Sequence, residues 1–142
     1  MSTARRGPSA YDTKVLKGPS GRNLCRWCSV EVPPGRRTFC SDPCVDEWKI
    51  RSDPGHAARL VFRRDRGICS GCRLDTVALA VRFRDWMEAH RHQAWQGPFP
   101  FEGRDTPAGR SLWEADHIVP VSEGGGQCGL EGYRTLCLWC PR

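Results

Sequence analysis

Eight of the nine cysteines in this 142-residue chain fall into two sets of four with the spacing of metal-binding motifs. The first set follows the pattern C-x2-C-x11-C-x3-C, and the second consists of two C-x2-C pairs far apart in the chain. A C-x2-C pair is a local turn, so two such pairs can close one tetrahedral zinc site across a long intervening segment. The predicted sites are Cys25, Cys28, Cys40 and Cys44, and Cys69, Cys72, Cys137 and Cys140. Scattered buried cysteines are the alternative, and this is the preferred interpretation of the ninth, Cys128.

The composition favours metal as part of the fold. Residues of the apolar classes make up 39% of the chain, which also contains 15 glycines and 11 prolines, so a purely hydrophobic core would be thin. The N-terminus lacks the apolar stretch of a signal peptide, and no run approaches the roughly 18 apolar residues of a membrane span. We therefore expect an intracellular, cytoplasmic protein (nuclear in a eukaryote) that uses its cysteines for zinc and not for disulfides.

The formal charge of +6 is unevenly distributed. Residues 1–23 are polar, basic and rich in glycine, proline and serine, which predicts a disordered arm that either contacts DNA or is simply solvated. Two zinc ions bound by eight thiolates would lower the net charge to about +2. The sequence therefore predicts a basic arm and local basic patches, followed by a four-Cys zinc-binding module over residues 24–52.

Polar caps and apolar periodicity predict three helices. The first is predicted to have Asp42 as its N-cap and Pro43 as its first residue, and to end near residue 52. The second is predicted over residues 54–65 and the third from Asp75 to about residue 95. The predicted apolar face of the second helix consists of Ala58, Leu60, Val61 and Phe62.

The same second helix carries arginines on its predicted outer face. Arginine suits bidentate contacts to phosphate, so this face is either a DNA-binding surface that contacts the backbone more than the bases or a solvated face. The arginines are Arg59, Arg63, Arg64 and Arg66.

An Asp-His pair, Asp116 and His117, lies in the first of two predicted strands, which cover residues 112–121 and 133–138. An imidazole that is largely neutral near pH 7 can take a proton from water, so His117 is the candidate general base. Asp116 points to the opposite face in a regular strand, but it could reach a divalent metal where the strand ends or bulges. Such a metal would polarise a scissile phosphate.

Residues 116–140, D-H-I-V-P-V-S-E-G-G-G-Q-C-G-L-E-G-Y-R-T-L-C-L-W-C, resemble the HNH (ββα-metal, His-Me finger) endonuclease motif. Within that family they are most similar to the HNH domain of the zinc-finger Ran-binding-type annealing helicases and to its free-standing bacterial and phage relatives. The likeness extends upstream through F-C-S-D-P-C-V-D-E-W-K-I-R-S at 39–52 and R-D-R-G-I-C-S-G-C at 64–72.

The resemblance implies a small zinc-stabilised α+β fold. An HNH ββα-metal core would be preceded by helices and by the four-Cys zinc module, with residues 53–142 forming the endonuclease domain and its helical insertion. It also implies that His117 is the general base, that Asp116 binds a catalytic Mg²⁺ or Mn²⁺, and that the second cysteine set binds structural zinc. Gly132 stands where the family has asparagine, and Pro141 where it has the final histidine and helix, so the core is expected to be truncated.

The function that these patterns favour is hydrolysis of DNA phosphodiester bonds by an HNH endonuclease. The first alternative is a catalytically inactive, zinc-bound nucleic-acid-binding module, which the replacements at Gly132 and Pro141 favour. The second is a zinc-stabilised protein-interaction domain, an interpretation based on residues 24–52 alone.

Overall fold

The computed structural model describes residues 15–90 and 111–141 of the chain. Within these residues the fold is a small α+β arrangement of three helices followed by one two-stranded antiparallel sheet. The helices are α1 (Asp42–Ser52), α2 (Pro54–Asp65) and α3 (Thr76–Ala89), and the strands are β1 (Trp113–His117) and β2 (Tyr133–Cys137).

Part of the predicted disordered arm is ordered. The amide of Gly18 donates to the carbonyl of Arg22 at 2.8 Å, and Lys17 pairs with Asn23 in an antiparallel bridge. The amide of Leu24 donates to the carbonyl of Leu16 at 2.8 Å, which attaches this turn to the first cysteine module. The prediction of a disordered arm over residues 1–23 therefore fails for residues 15–23, which are ordered. Residues 1–14 lie outside the described part of the chain.

Helix α1 begins one residue earlier than predicted. Its N-cap is Ser41, whose hydroxyl accepts a hydrogen bond from the amide of Cys44 at 3.4 Å, and not Asp42. Asp42 lies in the first turn, where its carboxylate accepts a hydrogen bond from the guanidinium of Arg36 at 2.7 Å. A carboxylate in the first turn is favourable because it faces the positive end of the helix dipole, so both residues stabilise this end.

Helix α2 has the predicted bounds, and its predicted apolar face is confirmed in part, since Val61 is buried and Leu60 packs against other buried residues. Asp53 caps it by accepting hydrogen bonds from the amides of residues 55 and 56, and the side chains that it buries are Ala57 and Val61. Phe62, predicted as part of the apolar face, is 36% exposed and stacks on Trp113. Residues 57 and 61 are one helical turn apart, so the buried stripe is rotated by one position relative to the prediction.

Helix α3 is capped by Asp75, as predicted, through a 2.9 Å hydrogen bond from the amide of Ala78. It buries Leu79 and Phe83 and ends at Ala89, earlier than the predicted end near residue 95. The rest of the predicted helix lies outside the described residues.

The two strands form an antiparallel hairpin that is shorter than predicted on its first side. His117 pairs with Tyr133 and Trp113 with Cys137, so β1 ends four residues before the predicted limit. The chain leaves the sheet after His117 and returns through three short 3₁₀ turns, over residues 121–123, 125–127 and 130–132. The predicted break at Pro120 falls within this connection.

The main core lies between α1, α2 and the hairpin. Ile50 of α1, Ala57 and Val61 of α2, and Tyr133 of β2 are buried together. The Tyr133 hydroxyl also donates to the carbonyl of Ile50 at 3.4 Å. The division of the chain at residues 52 and 53 stays a prediction, although α1 and α2 share this core across it.

A polar network ties α2 to β2. Arg64 forms an ion pair with Asp65 at 2.6 Å and donates hydrogen bonds to the carbonyls of Leu130 and Tyr133 at 2.8 and 2.7 Å. Asp65 accepts a 2.8 Å hydrogen bond from the hydroxyl of the buried Thr135. The Arg64 guanidinium holds the pKa of the Asp65 carboxyl below its usual range, so both groups are charged in the folded protein at neutral pH.

Among the described residues, the helices are too short and too polar for any of them to cross a membrane.

We expect Arg64→Ala to lower the free energy of unfolding by about 1 to 2 kcal/mol, because two backbone carbonyls and Asp65 lose a charged donor. The measurement is urea unfolding of the zinc-loaded protein. The control is Arg84→Ala, because Arg84 is 71% exposed and pairs only with the adjacent Asp85. Equal unfolding midpoints for the two variants would contradict the structural role of Arg64.

Candidate functional site

Two of the three C-x2-C pairs, Cys25–Cys28 and Cys69–Cys72, adopt the same local geometry. In each, the amide of the first cysteine donates to the carbonyl five residues later, and the amide four residues later donates back to that cysteine, at 2.7 to 2.9 Å. The residue after the second cysteine is left-handed, with φ of 62° in one pair and 65° in the other. The residues are Cys25, Ser29 and Val30, and Cys69, Arg73 and Leu74. This turn points both sulfurs of a pair to the same side.

The first set of four cysteines converges as predicted. The four Sγ atoms lie within 4.8 Å of one another, with Cys28 and Cys40 at 3.4 Å and Cys40 and Cys44 at 3.5 Å. A Zn–S bond of about 2.3 Å implies about 3.8 Å between sulfurs at the corners of a tetrahedron. These thiols therefore fit a zinc ion with only small adjustments.

The second set converges across the fold. Cys69 and Cys140 are 3.6 Å apart and Cys72 and Cys137 are 3.7 Å apart, close to the tetrahedral spacing. The amide of Cys137 also donates to the sulfur of Cys69 at 3.3 Å. The amide and hydroxyl of Ser70 donate to the carbonyl of Thr135 at 2.9 and 3.0 Å, which fixes this turn beside β2.

The pKa values of the thiols indicate that each set of four would be stabilised by a bound cation. Burial opposes the ionisation of Cys25 and Cys69, but backbone N–H groups outweigh it and lower the pKa from 9.0 to about 7 and about 6. The neighbouring sulfurs raise the pKa of Cys140 to about 12. The pKa of Cys44 also rises to about 12, since burial and nearby thiols outweigh the hydrogen bond from Ser41. A divalent ion would remove this repulsion between thiolates.

Asp116 and His117 lie on opposite faces of the sheet. Directly paired residues of an antiparallel sheet share a face, and His117 pairs with Tyr133 while Asp116 pairs with Arg134. The side chains follow this register: the His117 and Tyr133 rings lie 4.5 Å apart, and Asp116 contacts Arg134. The sequence placed the two residues in one strand correctly, and the strand is regular where they occur.

The Asp116 carboxylate is already paired with a cation. Arg134 donates to its Oδ2 atom from Nε at 3.0 Å and from Nη2 at 2.9 Å. The Asp116 side chain is 17% exposed, so this ion pair is partly desolvated. A divalent metal would have to compete with Arg134 for the same carboxylate.

The donor set around this pair does not form a divalent-metal site. The groups of three or more cysteine, histidine or acidic side chains that the structure brings together, within the residues it describes, are the two cysteine sets alone. Asp116 and His117 could not both ligate one ion from a regular strand, because His117 faces the other way. The described residues therefore fit two zinc ions but not the catalytic Mg²⁺ or Mn²⁺ that the resemblance implies.

His117 has an unsatisfied buried nitrogen. Its Nε2 atom is buried and has no hydrogen-bond partner among the described residues. Leaving a buried polar atom unpaired costs about 1 to 3 kcal/mol, and such atoms are rare enough to require an explanation. A water molecule or substrate atom that reached Nε2 would satisfy it.

Gly132, which replaces the asparagine of the HNH pattern, lies in close contact with Cys128. A Cβ atom at this position would overlap the Cβ and Sγ atoms of Cys128. Cys128 itself is half-buried against the main core, as the sequence predicted for a cysteine outside the zinc sets. A side chain at position 132 is therefore excluded by packing, and the asparagine of the family pattern does not fit this backbone.

The four predicted DNA-binding arginines are all exposed, but the Arg64 guanidinium makes its hydrogen bonds within the fold. Arg59 makes one long ion pair with Asp53 at 3.8 Å, and Arg63 and Arg66 have exposed side chains. Arg64 instead uses its guanidinium within the fold. Sequence periodicity placed all four on the outer face of α2 but could not show that Arg64 donates to the carbonyls of Leu130 and Tyr133.

Arg134 and the stacked pair Phe62–Trp113 were missed by the sequence reasoning as parts of a site. The signal for Arg134 was available in principle, because strand register would place a basic residue opposite Asp116. No local pattern links Phe62 and Trp113, which are 51 positions apart and meet only when α2 packs on β1.

The chain is homologous to a segment of proteins called DNA annealing helicase and endonuclease ZRANB3. It is 35% identical to the Mus musculus protein over 139 aligned residues, which cover 86% of this chain and 13% of that protein. For the Bos taurus and Homo sapiens proteins the identities are 37% and 34% over 112 residues, or 73% of this chain and 10% of theirs. The chain thus spans about a tenth of its relatives' length. No family model matches it, and neither does any solved structure.

We expect the purified chain to contain two zinc ions, measured by elemental analysis. Cys137→Ser with Cys140→Ser should remove one of them and unfold the hairpin, because structural zinc stabilises by about 10 kcal/mol in small modules. Cys25→Ser with Cys28→Ser should remove the other. Cys128→Ser, the matched control outside both sets, should keep two. A wild-type content of one, or no loss in either double variant, would contradict the two sites.

Proposed function

We propose that this chain is an HNH-type endonuclease domain that hydrolyses DNA phosphodiester bonds, with His117 as the general base. The similarity to proteins named as endonucleases supports a DNA-processing, nuclease-related role. The observation that supports the catalytic part is the unpaired Nε2 of His117, the last residue of β1, which pairs with the strand that ends at Cys137 of the second cysteine set. A general base needs a lone pair that no protein donor occupies.

The proposed step uses the imidazole of His117 alone. Nε2 takes a proton from a water molecule while the water oxygen attacks phosphorus, and the bond from phosphorus to the leaving oxygen breaks. The leaving oxygen then takes a proton from solvent. The Tyr133 ring, 4.5 Å from that of His117, fixes the orientation of the imidazole, and the exposed arginines of α2 would hold the DNA backbone.

The test is nicking of supercoiled plasmid, with and without Mg²⁺ or Mn²⁺. His117→Ala should abolish nicking, because it removes the nitrogen that takes the proton. His117→Phe should also abolish it and raise the free energy of unfolding by about 1 kcal/mol, because the stack on Tyr133 is kept and the unpaired nitrogen is removed. Nicking that survives both substitutions would contradict the proposal.

The second candidate is an inactive, zinc-bound DNA-binding module. The ion pair between Asp116 and Arg134 favours it, since that pair occupies the carboxylate that the HNH pattern assigns to the metal. The position of Asp116, on the face of the sheet opposite His117, favours it too. Salt-dependent retention of plasmid without nicking in Mg²⁺ or Mn²⁺ would support this candidate over the first.

Arg134→Gln tests whether the ion pair keeps metal from Asp116. Removing the guanidinium should raise the affinity for Mn²⁺ several-fold, because the carboxylate loses its competing cation. Electron paramagnetic resonance of free Mn²⁺ measures this affinity directly. Arg134→Lys keeps the positive charge and is the control. An equal gain in both variants, or no gain in Arg134→Gln, would contradict this role of Arg134.

A further inference from the structure

A groove between α2 and the start of β1 is lined by aromatic and arginine side chains, the residue types that bind nucleic acids. It is separate from the hairpin face that carries Asp116. Its volume is about 480 Å³, within the range of about 300 to 1,000 Å³ that is usual for ligand sites. It is lined by Ala58, Arg59, Phe62, Arg63, Arg66 and Trp113.

The floor of this groove is aromatic and partly accessible. The rings of Phe62 and Trp113 are stacked, with their centroids 5.7 Å apart and an angle of 23° between their planes. Trp113 packs against the main core on its inner side, and Phe62 is 36% exposed. A nucleobase can extend such a stack by adding a third ring, and base–aromatic stacking tolerates any base.

The rim of the groove is cationic. Arg59, Arg63 and Arg66 follow one another at spacings of four and three residues, which places them along one stripe of α2. Within the described part of the chain, Arg63 has no ion-pair partner, and Arg59 has a long ion pair with Asp53 at 3.8 Å and a 3.4 Å contact with Nδ1 of His56. Three guanidinium groups around an aromatic floor complement a ligand that is both anionic and aromatic.

Arg66 occupies a backbone conformation that favours glycine. It is the C-cap of α2, with φ of 56° and ψ of 25°, in the left-handed region. Non-glycine residues are strained there, and such strain is concentrated at functional positions. An arginine at this position keeps a third cation on the rim, where glycine would relieve the strain and remove the charge.

We propose that this groove binds single-stranded DNA, with one base stacked on Phe62 and Trp113 and the flanking phosphates held by Arg59, Arg63 and Arg66. This inference rests on the proposed function for the class of ligand and adds the form of DNA that is bound. Bases of an intact duplex have both faces covered by their neighbours, so only an unpaired base reaches this floor.

The groove lies on the face of the sheet that carries His117. Side chains alternate along β1, so Trp113, Ala115 and His117 point the same way. Trp113 and His117 are four residue steps apart along β1, or roughly 13 Å at about 3.3 Å per step. Ala115 and Tyr133 pack against the main core between them, so the groove and His117 lie at the two ends of one covered face of the sheet.

The experiment is fluorescence anisotropy of the zinc-loaded chain with a labelled oligothymidylate about twenty nucleotides long, compared with a duplex of the same length. The wild type should prefer the single strand. Phe62→Leu, which keeps an apolar side chain but removes the ring, should weaken single-strand binding by about 5- to 150-fold, the range found for loss of one stacked base. Arg63→Ala should lower the slope of log K against log salt by about 0.7.

Matched controls separate the groove from general effects of charge and folding. Phe39→Leu removes a ring that contacts Trp48 in the first cysteine module, and Arg84→Ala removes an exposed arginine from α3. Neither should change the affinity. Arg66→Gly should weaken binding while leaving the protein as stable as the wild type or more stable, because it relieves the left-handed backbone.

Unchanged single-strand affinity in Phe62→Leu, or equal affinity of the wild type for duplex and single strand, would overturn the inference. Loss of binding in Phe39→Leu equal to that in Phe62→Leu would do the same. Failure of the proposed function is distinguishable: a chain that binds oligothymidylate in the groove but never nicks DNA contradicts only the role of His117. Nicking that depends on His117 but not on Phe62 contradicts only the groove.

Discussion

Closure of the second cysteine set is the constraint on which the rest of the fold depends. It joins the turn that follows α2 to the end of β2, and Cys72 and Cys137 are 65 positions apart in sequence. Closing so long a loop costs conformational entropy, which a four-thiolate zinc site can offset because it contributes on the order of 10 kcal/mol. The remaining core is small, with four buried side chains in its main cluster. Hydrophobic burial alone would leave this hairpin marginal.

Once the hairpin is fixed, its register determines which groups can act together. Pairing of His117 with Tyr133 and of Asp116 with Arg134 divides the Asp-His motif between two faces. One face then carries an imidazole with an unpaired nitrogen, and the other carries a neutralised carboxylate. Because these two groups lie apart and Asp116 is paired with Arg134, cleavage and binding have to be measured separately.

Sequence patterns within one segment correctly predicted the features that depend on that segment alone. The cysteine sets could be assigned because a C-x2-C turn needs only its own backbone, and α2 because its apolar periodicity lies within one segment. The N-cap of α1 was misplaced because Ser41 and Asp42 are both good caps, and only the bond to Cys44 distinguishes them. Contacts between distant segments were not predictable in this way: Arg64 with Leu130, Phe62 with Trp113, and the overlap that excludes a side chain at Gly132.

The most direct test of the account is X-ray absorption at the zinc edge, applied to the Cys25→Ser, Cys28→Ser variant so that only the second site contributes. We expect a single shell of four sulfur atoms at about 2.3 Å. That result would establish that Cys69, Cys72, Cys137 and Cys140 close one site across the fold. A shell with nitrogen or oxygen ligands, or with fewer than four sulfurs, would contradict it and with it the placement of the hairpin that presents His117.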